Sequence, residues 1–271
     1  MKISLIITTY NWPQALAAVL GSVRRQIELP FEVLIADDGS SDETRQLIHK
    51  TAEGFPCPIQ HIWQEDNGFQ AAAIRNKAAM KARGEYIVFI DGDTLIRPDF
   101  IKNHCRLARR GFFAAGNRVL LSRDFSQHVL AENLPVTQWQ PHQFSKLQVN
   151  RAWALRTFPL GPLRLLKKNQ WQGVKTCNLG IWKADLVAVN GFDESFVGWG
   201  YEDSELAIRL LNQGFKHLDC RFAATVMHLW HQENDRSREK DNLEMLKTAM
   251  ATGKIRAITG IDQYAPEETP A

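Results

Sequence analysis

The stretch EYIVFIDGD, residues 85–93, decides the fold. Residues 85–90 form an apolar run rich in β-branched and aromatic side chains, the pattern of a strand buried on both faces. The run stops at Asp91-Gly92-Asp93, two carboxylates on either side of a glycine. Three similar units precede it. Residues 2–8 read as a strand running into Thr8-Thr9-Tyr10-Asn11, residues 31–36 as one running into Asp37-Asp38-Gly39-Ser40, and residues 58–63 as a third. Helical signals lie between them. Pro13 opens the first helix, with Leu16, Val19, Leu20 and Val23 on its buried face. Ser40 and Glu43 have the spacing of a capping box for a second helix through Leu47 and Ile48. Residues 69–82, rich in alanine, supply the third. The alternation predicts an α/β fold, a Rossmann-like, mostly parallel sheet flanked by helices. Ligands bind such sheets outside the carboxyl ends of the strands, where these polar clusters gather.

Composition narrows the class. A chain of 271 residues, 44% hydrophobic, can bury a large core in one domain. A net charge of +3 gives no argument for nucleic acid as a partner. Cys57, Cys105, Cys177 and Cys220 have no C-x-x-C spacing, so reduced thiols in a cytoplasmic protein are expected and a zinc site is not. The opening apolar run is too short for a signal peptide, and no stretch of about 18 apolar residues is present to span a membrane. From about 101 to 170 the periodicity degrades into a segment rich in Arg, Lys, Trp and Phe. Order returns at 174, with a helix through Glu205, Leu206, Ile208, Leu210 and Leu211 that Gly214 stops. Residues 261–271 read as a flexible tail.

Five groups of residues carry chemistry. Asp91 and Asp93 repel each other unless a cation is shared, and hard oxygen ligands suit Mg²⁺ or Mn²⁺; a plain β-turn is the competing account. Asp38 can accept from a nucleobase N–H or a ribose hydroxyl, while Ser40 caps the helix. Arg75, set among alanines, can face a diphosphate or be merely solvated. His228 and His231 lie three apart; on a strand that spacing puts them on opposite faces, so only one joins the carboxylates. In GWGYEDSE, residues 198–205, the glycines permit close approach of a ligand. Trp199 and Tyr201 offer flat faces to a sugar ring, and Glu202 and Asp203 offer a carboxylate to take a hydroxyl proton. Acids at a helix N-terminus also favour the macrodipole, but that does not explain GWGY.

TTYN, DDGS, DNGFQAAAIRN, DGD and GWGYEDSELAIRLLNQG, in this order, resemble the family 2 inverting nucleotide-sugar glycosyltransferases of the GT-A fold. The last motif is similar to the region shared with galactosyltransferases and chondroitin polymerase domains. The resemblance covers residues 2–100 and 174–233. It implies a UDP-sugar donor, Mn²⁺ or Mg²⁺, and a glycan or lipid-linked acceptor. Thr8, Tyr10 and Asp38 would hold the uridine, with Arg75 near base or phosphates. Asp91 would contact ribose and metal, and Asp93 would ligate the metal with a histidine, His228 first and His231 in reserve. Asp203 would be the general base, Glu202 would bind a sugar, and Trp199 would help form the acceptor pocket. Residues 1–100 would then be the nucleotide-sugar half, 101–173 the variable acceptor region and 174–260 the acceptor and catalytic half of one domain. The implied setting is synthesis of lipopolysaccharide, capsule or a related polysaccharide in the cytoplasm. The basic, aromatic middle suits the inner membrane surface and equally a solvated basic face. A sugar nucleotidyltransferase would carry a glycine-rich phosphate loop after the first strand, which TTYNWPQ lacks. A non-catalytic carbohydrate-binding protein would be expected to lack an acid at the metal or base position.

Overall fold

A computed structural model describes residues 1–232 and 235–264. In chain order the strands are β1 (Ile3–Thr9), β2 (Glu32–Asp37), β3 (Ile59–Trp63), β4 (Tyr86–Asp91), β5 (Thr94–Ile96), β6 (Phe112–Ala115), β7 (Arg118–Leu120), β8 (Leu179–Trp182), β9 (Lys216–Asp219) and β10 (Val226–His228). The helices are α1 (Pro13–Arg24), α2 (Asp42–Ala52), α3 (Ala71–Lys81), α4 (Phe100–Leu107), α5 (Arg123–Ala131), α6 (Lys183–Ala188), α7 (Glu202–Asn212) and α8 (Glu239–Thr252). Short 3-10 turns fill much of 136–178.

The main sheet has seven strands in the order β3-β2-β1-β4-β8-β6-β9, and β8 alone runs antiparallel to its neighbours. Alternate side chains of each strand enter opposite cores. Leu5 and Ile7 pack with Leu16, Leu20 and Phe100 on one face; Ile6 packs with Ile74, Leu206 and Leu210 on the other. The register pairs Thr8 with Asp91 and Thr9 with Asp37, so the polar ends of three strands lie side by side. A second sheet has three strands in the order β5-β10-β7. No helix among the described residues is long and apolar enough to cross a membrane.

Three expectations need correction. Ser41, not Ser40, precedes α2, and no side chain caps that helix. Ser40 instead accepts from the Asn11 amide, because the Asp37–Ser40 turn is folded back onto the end of β1. The segment 101–170 is ordered: β6 is an interior strand of the main sheet, too short to show periodicity, and β7 belongs to the second sheet. All four cysteines are free, as anticipated. The tail reading fails for Ile261–Tyr264, a 3-10 turn with Ile261 buried and the Tyr264 hydroxyl donating to Glu194 at 2.8 Å. The remainder of that tail, residues 265–271, lies outside the described residues.

Candidate active site

The carboxyl ends of β1, β2 and β4 open into a cavity of about 670 Å³, within the usual range for a ligand pocket. Thr8, Tyr10, Asp38, Arg75, Asp91, Asp93, Trp199, Glu202, Asp203, His228 and His231 all line it. The sequence-derived candidates are thus brought to one place.

Backbone geometry explains the DGD turn. The Gly92 amide donates to the Thr8 carbonyl at 2.7 Å, and a Cβ at Gly92 would come within 2.8 Å of Thr9 Oγ1. Only glycine lets β4 turn this close to β1. Asp93 then follows at the start of β5. Because β10 pairs antiparallel with β5, His228 sits opposite Thr94, and the Leu229 amide donates to the Asp93 carbonyl. The second sheet is therefore what carries a residue 135 positions away to the DGD turn.

The pleat argument for choosing between the histidines does not apply, because β10 ends at His228 and the chain turns. Both rings reach Asp93: His228 Nε2 lies 3.4 Å from Oδ1 and His231 Nε2 lies 3.3 Å from Oδ2. Ligand atoms of the three residues fall within 4.8 Å of one another. Each ring's Nδ1 lies against a backbone carbonyl, Leu229 for His228 at 2.8 Å and Gln232 for His231 at 2.7 Å. A carbonyl only accepts, so each Nδ1 carries a proton and each Nε2 is the ring atom turned to the Asp93 carboxylate. Two imidazole nitrogens and one carboxylate form a donor set that suits a divalent metal. Asp91 lies outside this cluster; its Oδ1 accepts from Arg75 at 3.1 Å.

Arg75 lines the cavity with its fork already engaged by protein side chains. It is only 4% exposed, and its Nε donates to Thr8 Oγ1, Nη1 to Glu202 and Nη2 to Asp91, at 3.0 to 3.1 Å. It ties α3 to β1, β4 and α7. Its neighbour Asn76 is structural, exchanging hydrogen bonds with the Phe192 backbone. The paired acids of DDGS divide similarly. Asp37 is buried against His61 and the Ser40 amide. Asp38 faces the cavity, held by Gln64 Nε2 at 2.6 Å and the Gln70 amide at 2.8 Å, and burial raises its pKa despite both bonds. Tyr10 is half exposed, its hydroxyl donating to Asp66.

GWGYEDSE can now be explained. Gly198, Gly200 and Tyr201 all have positive φ, at 79°, 114° and 69°. The Gly198 amide donates to the Phe69 carbonyl, pinning the turn to the loop before α3. This sharp reversal delivers Glu202 and Asp203 to the first turn of α7, where the helix dipole favours negative charge. Burial and the neighbouring Asp203 charge raise the pKa of Glu202, while Arg75 opposes them. Asp203 is 7% exposed and accepts from Ser204 Oγ at 3.1 Å. Trp199 stacks beneath the Arg236 guanidinium at 4.5 Å.

The sequence reading missed Lys175, whose Nζ lies 3.8 Å from Asp203 Oδ2, and Trp12, whose ring meets His231 edge-on at 6.3 Å. Lys175 sits in an irregular segment with no periodicity to mark it. Trp12 could have been noticed as an aromatic directly after the first strand end.

The sequence matches the family described as glycosyl transferase family 2 over residues 4–169, and that described as the N-terminal domain of galactosyltransferase over residues 165–232. Validoxylamine A glucosyltransferase of Streptomyces hygroscopicus subsp. limoneus is 31% identical over 228 residues, covering 78% of this chain and 48% of that protein. Hyaluronan synthase of Pasteurella multocida is 29% identical, covering 85% of this chain and 24% of that one. The chain thus spans half or less of the length of these relatives. Among solved structures, S. aureus TarS 1-349 in complex with UDP superposes with a TM-score of 0.62 at 16% identity, over 97% of this chain and 68% of that one. Mannosyltransferase PcManGT from Pyrobaculum calidifontis, in complex with GDP-Man and Mn²⁺, gives 0.61 at 17%, over 93% and 62%. At this identity the structural likenesses show a shared fold, the GT-A arrangement. With the first family match running over more than half of its length, the chain belongs to glycosyl transferase family 2.

Proposed function

We propose that the chain is an inverting transferase moving a hexosyl or N-acetylhexosaminyl group from a UDP-sugar to a hydroxyl of a glycan or lipid-linked acceptor, in synthesis of lipopolysaccharide, capsule or another surface polysaccharide. The observation that carries the reading is one cavity lined both by the Asp93, His228 and His231 donor set and by the Glu202–Asp203 pair. The relatives named as polysaccharide synthases and the nucleotide-bound neighbours support it.

Asp93, His228 and His231 would hold the metal, and two imidazoles beside one carboxylate favour Mn²⁺ over Mg²⁺. A bound divalent cation supplies positive charge at a departing diphosphate. Thr8, Tyr10 and Asp38 surround the nucleoside, Asp91 lies near its ribose, and Trp199 packs against a sugar. Arg75 acts through Glu202 and Asp91, holding both carboxylates in place. Asp203 takes the proton from the acceptor hydroxyl as that oxygen bonds to the anomeric carbon. The bond from that carbon to the diphosphate oxygen breaks, and the nucleoside diphosphate leaves with the electron pair. A single displacement inverts the anomeric centre.

The test is a thermal-shift panel of nucleoside diphosphates with and without Mn²⁺, on the wild type and Asp93→Ala. A ligand bound by the native state raises the melting temperature by mass action. Stabilisation by UDP that requires Mn²⁺ and disappears in the variant supports the reading. A flat panel, or a preference for another nucleotide, removes the UDP-sugar assignment.

A further inference from the structure

Between Glu132 and Asp185 the sequence has no acidic residue and eight Lys or Arg, although the chain contains 30 Asp and Glu. In the fold, part of this segment forms a surface of exposed large apolar side chains. Trp153 and Phe158 are each 56% exposed, Leu163 52% and Leu166 75%. The two aromatics are not stray. The Trp153 and Phe158 rings pack on Phe222 at 5.9 and 6.4 Å, and the Phe158 amide donates to the Phe222 carbonyl. Phe222 itself has a positive φ of 64°, in the loop between β9 and β10.

The leucines belong to the 3-10 turn Gly161–Leu165 and its C-cap. In a 3-10 turn residues three apart share a side, which places Leu163 and Leu166 together. Arg164 points the other way. It is buried and donates through Nη1 to the carbonyls of Asp219 and Arg221. That anchor holds the turn with its leucines outward. Lys167 and Lys168 follow immediately, and Arg156 is exposed between the aromatics. Asp219, on which the Lys167 charge also acts, is paired with Arg221 at 2.6 Å.

We infer that residues 153–168 form a docking surface for an anionic lipid bilayer. Aromatic and leucine side chains that enter the headgroup boundary, bordered by lysine and arginine in a stretch of sequence without acids, fit that occupant on both hydrophobic and charge grounds. The placement relative to the cavity is consistent with an acceptor presented from such a surface. The Asn150 side chain accepts from the Leu120 amide, and the Leu120 carbonyl accepts from the Asn150 amide. Leu120 and Arg118 of β7 line the cavity. The inference does not depend on which donor the cavity takes.

The experiment is co-sedimentation of the full chain with vesicles of phosphatidylglycerol mixed with phosphatidylcholine, against phosphatidylcholine alone, at low and high salt. The variants are Phe158→Ser/Leu166→Ser and Lys167→Glu/Lys168→Glu, each with unchanged melting temperature and unchanged nucleotide response. Expected are salt-sensitive binding to the anionic vesicles and a loss of about tenfold or more in either variant. Equal or absent binding to the two vesicle types, or full binding by both variants, would overturn the inference. So would a sedimentation experiment in which the wild type forms a dimer that the apolar variant dissolves while vesicles are ignored, because a second copy would then cover the surface.

Discussion

Arg75 on α3 and Glu202 at the start of α7 meet at 3.1 Å across 127 positions of sequence. The same guanidinium reaches Asp91 at the end of β4, so one buried cation fixes the relative position of a strand end and a helix start. Arg75→Lys should remove the fork that serves Thr8, Asp91 and Glu202 at once. The turnover number is expected to fall by about tenfold or more. The acid limb of the pH–rate profile should move to higher pH, because burial and Asp203 already raise Glu202 and Arg75 is the opposing influence. A shift to lower pH would contradict this role.

Asp203→Asn tests the proposed base separately from the proposed nucleotide site. The side chain keeps its shape but cannot accept a proton, so turnover should drop by roughly 10² to 10⁴. The nucleotide-dependent rise in melting temperature should persist, since Asp203 lies outside the Asp93 donor set. Single-turnover rates and thermal shift on the same preparation check both halves.

Within α7, Arg209 is fully buried and its guanidinium is paired with the equally buried Glu205 at 2.8 Å, while its Nη1 donates to the Val189 carbonyl. Glu205 also lies 3.2 Å from Lys254. Arg209→Leu leaves Glu205 with one partner and should cost about 3 kcal/mol, the usual order for breaking a buried pair. The double replacement with Glu205→Leu should recover part of that loss. Urea denaturation of the two single variants and the double variant gives the coupling.

His104 is fully buried against Phe100 and Tyr86, and burial pushes its pKa down to about 4. Unfolded, it titrates near the ordinary histidine value of about 6.5. As pH falls through this interval the unfolded chain takes up a proton that the folded chain refuses. Stability contributed by neutral His104 is therefore present above about 6.5 and is lost towards pH 4, at roughly 1.4 kcal/mol per pH unit. His104→Leu should flatten the fall in stability over that window relative to wild type, as read by denaturation at several pH values.

Much of the site was legible before folding, because its parts sit at element boundaries that composition marks. EYIVFI against DGD, and FEVLIA against DDGS, each announce a buried strand that ends in acid. Tertiary structure had to decide what those acids face. Asp37 and Asp38 are identical in sequence terms, yet one is buried against His61 while the other turns to the cavity. The same holds for Asp91, held by Arg75, and Asp93, set between two histidines.

By itself the sequence determined the alternating strands and helices, the parallel half of the sheet and the acids at its carboxyl ends, since hydrophobic periodicity and turn residues act over a few neighbouring positions. It also singled out GWGYEDSE, reading its glycines as room for a ligand, whereas the structure uses Gly198 and Gly200 at positive φ to make the turn into α7. Only the tertiary structure decided that β10 pairs with β5 and so brings both His228 and His231 to Asp93, that Arg75 is spent on Glu202 and Asp91 rather than offered to a ligand, and that β6 lies inside the main sheet. Each of these depends on pairings between residues far apart in the chain, whose partners are fixed by strand register and by the burial of charge, and neither leaves a local pattern to read.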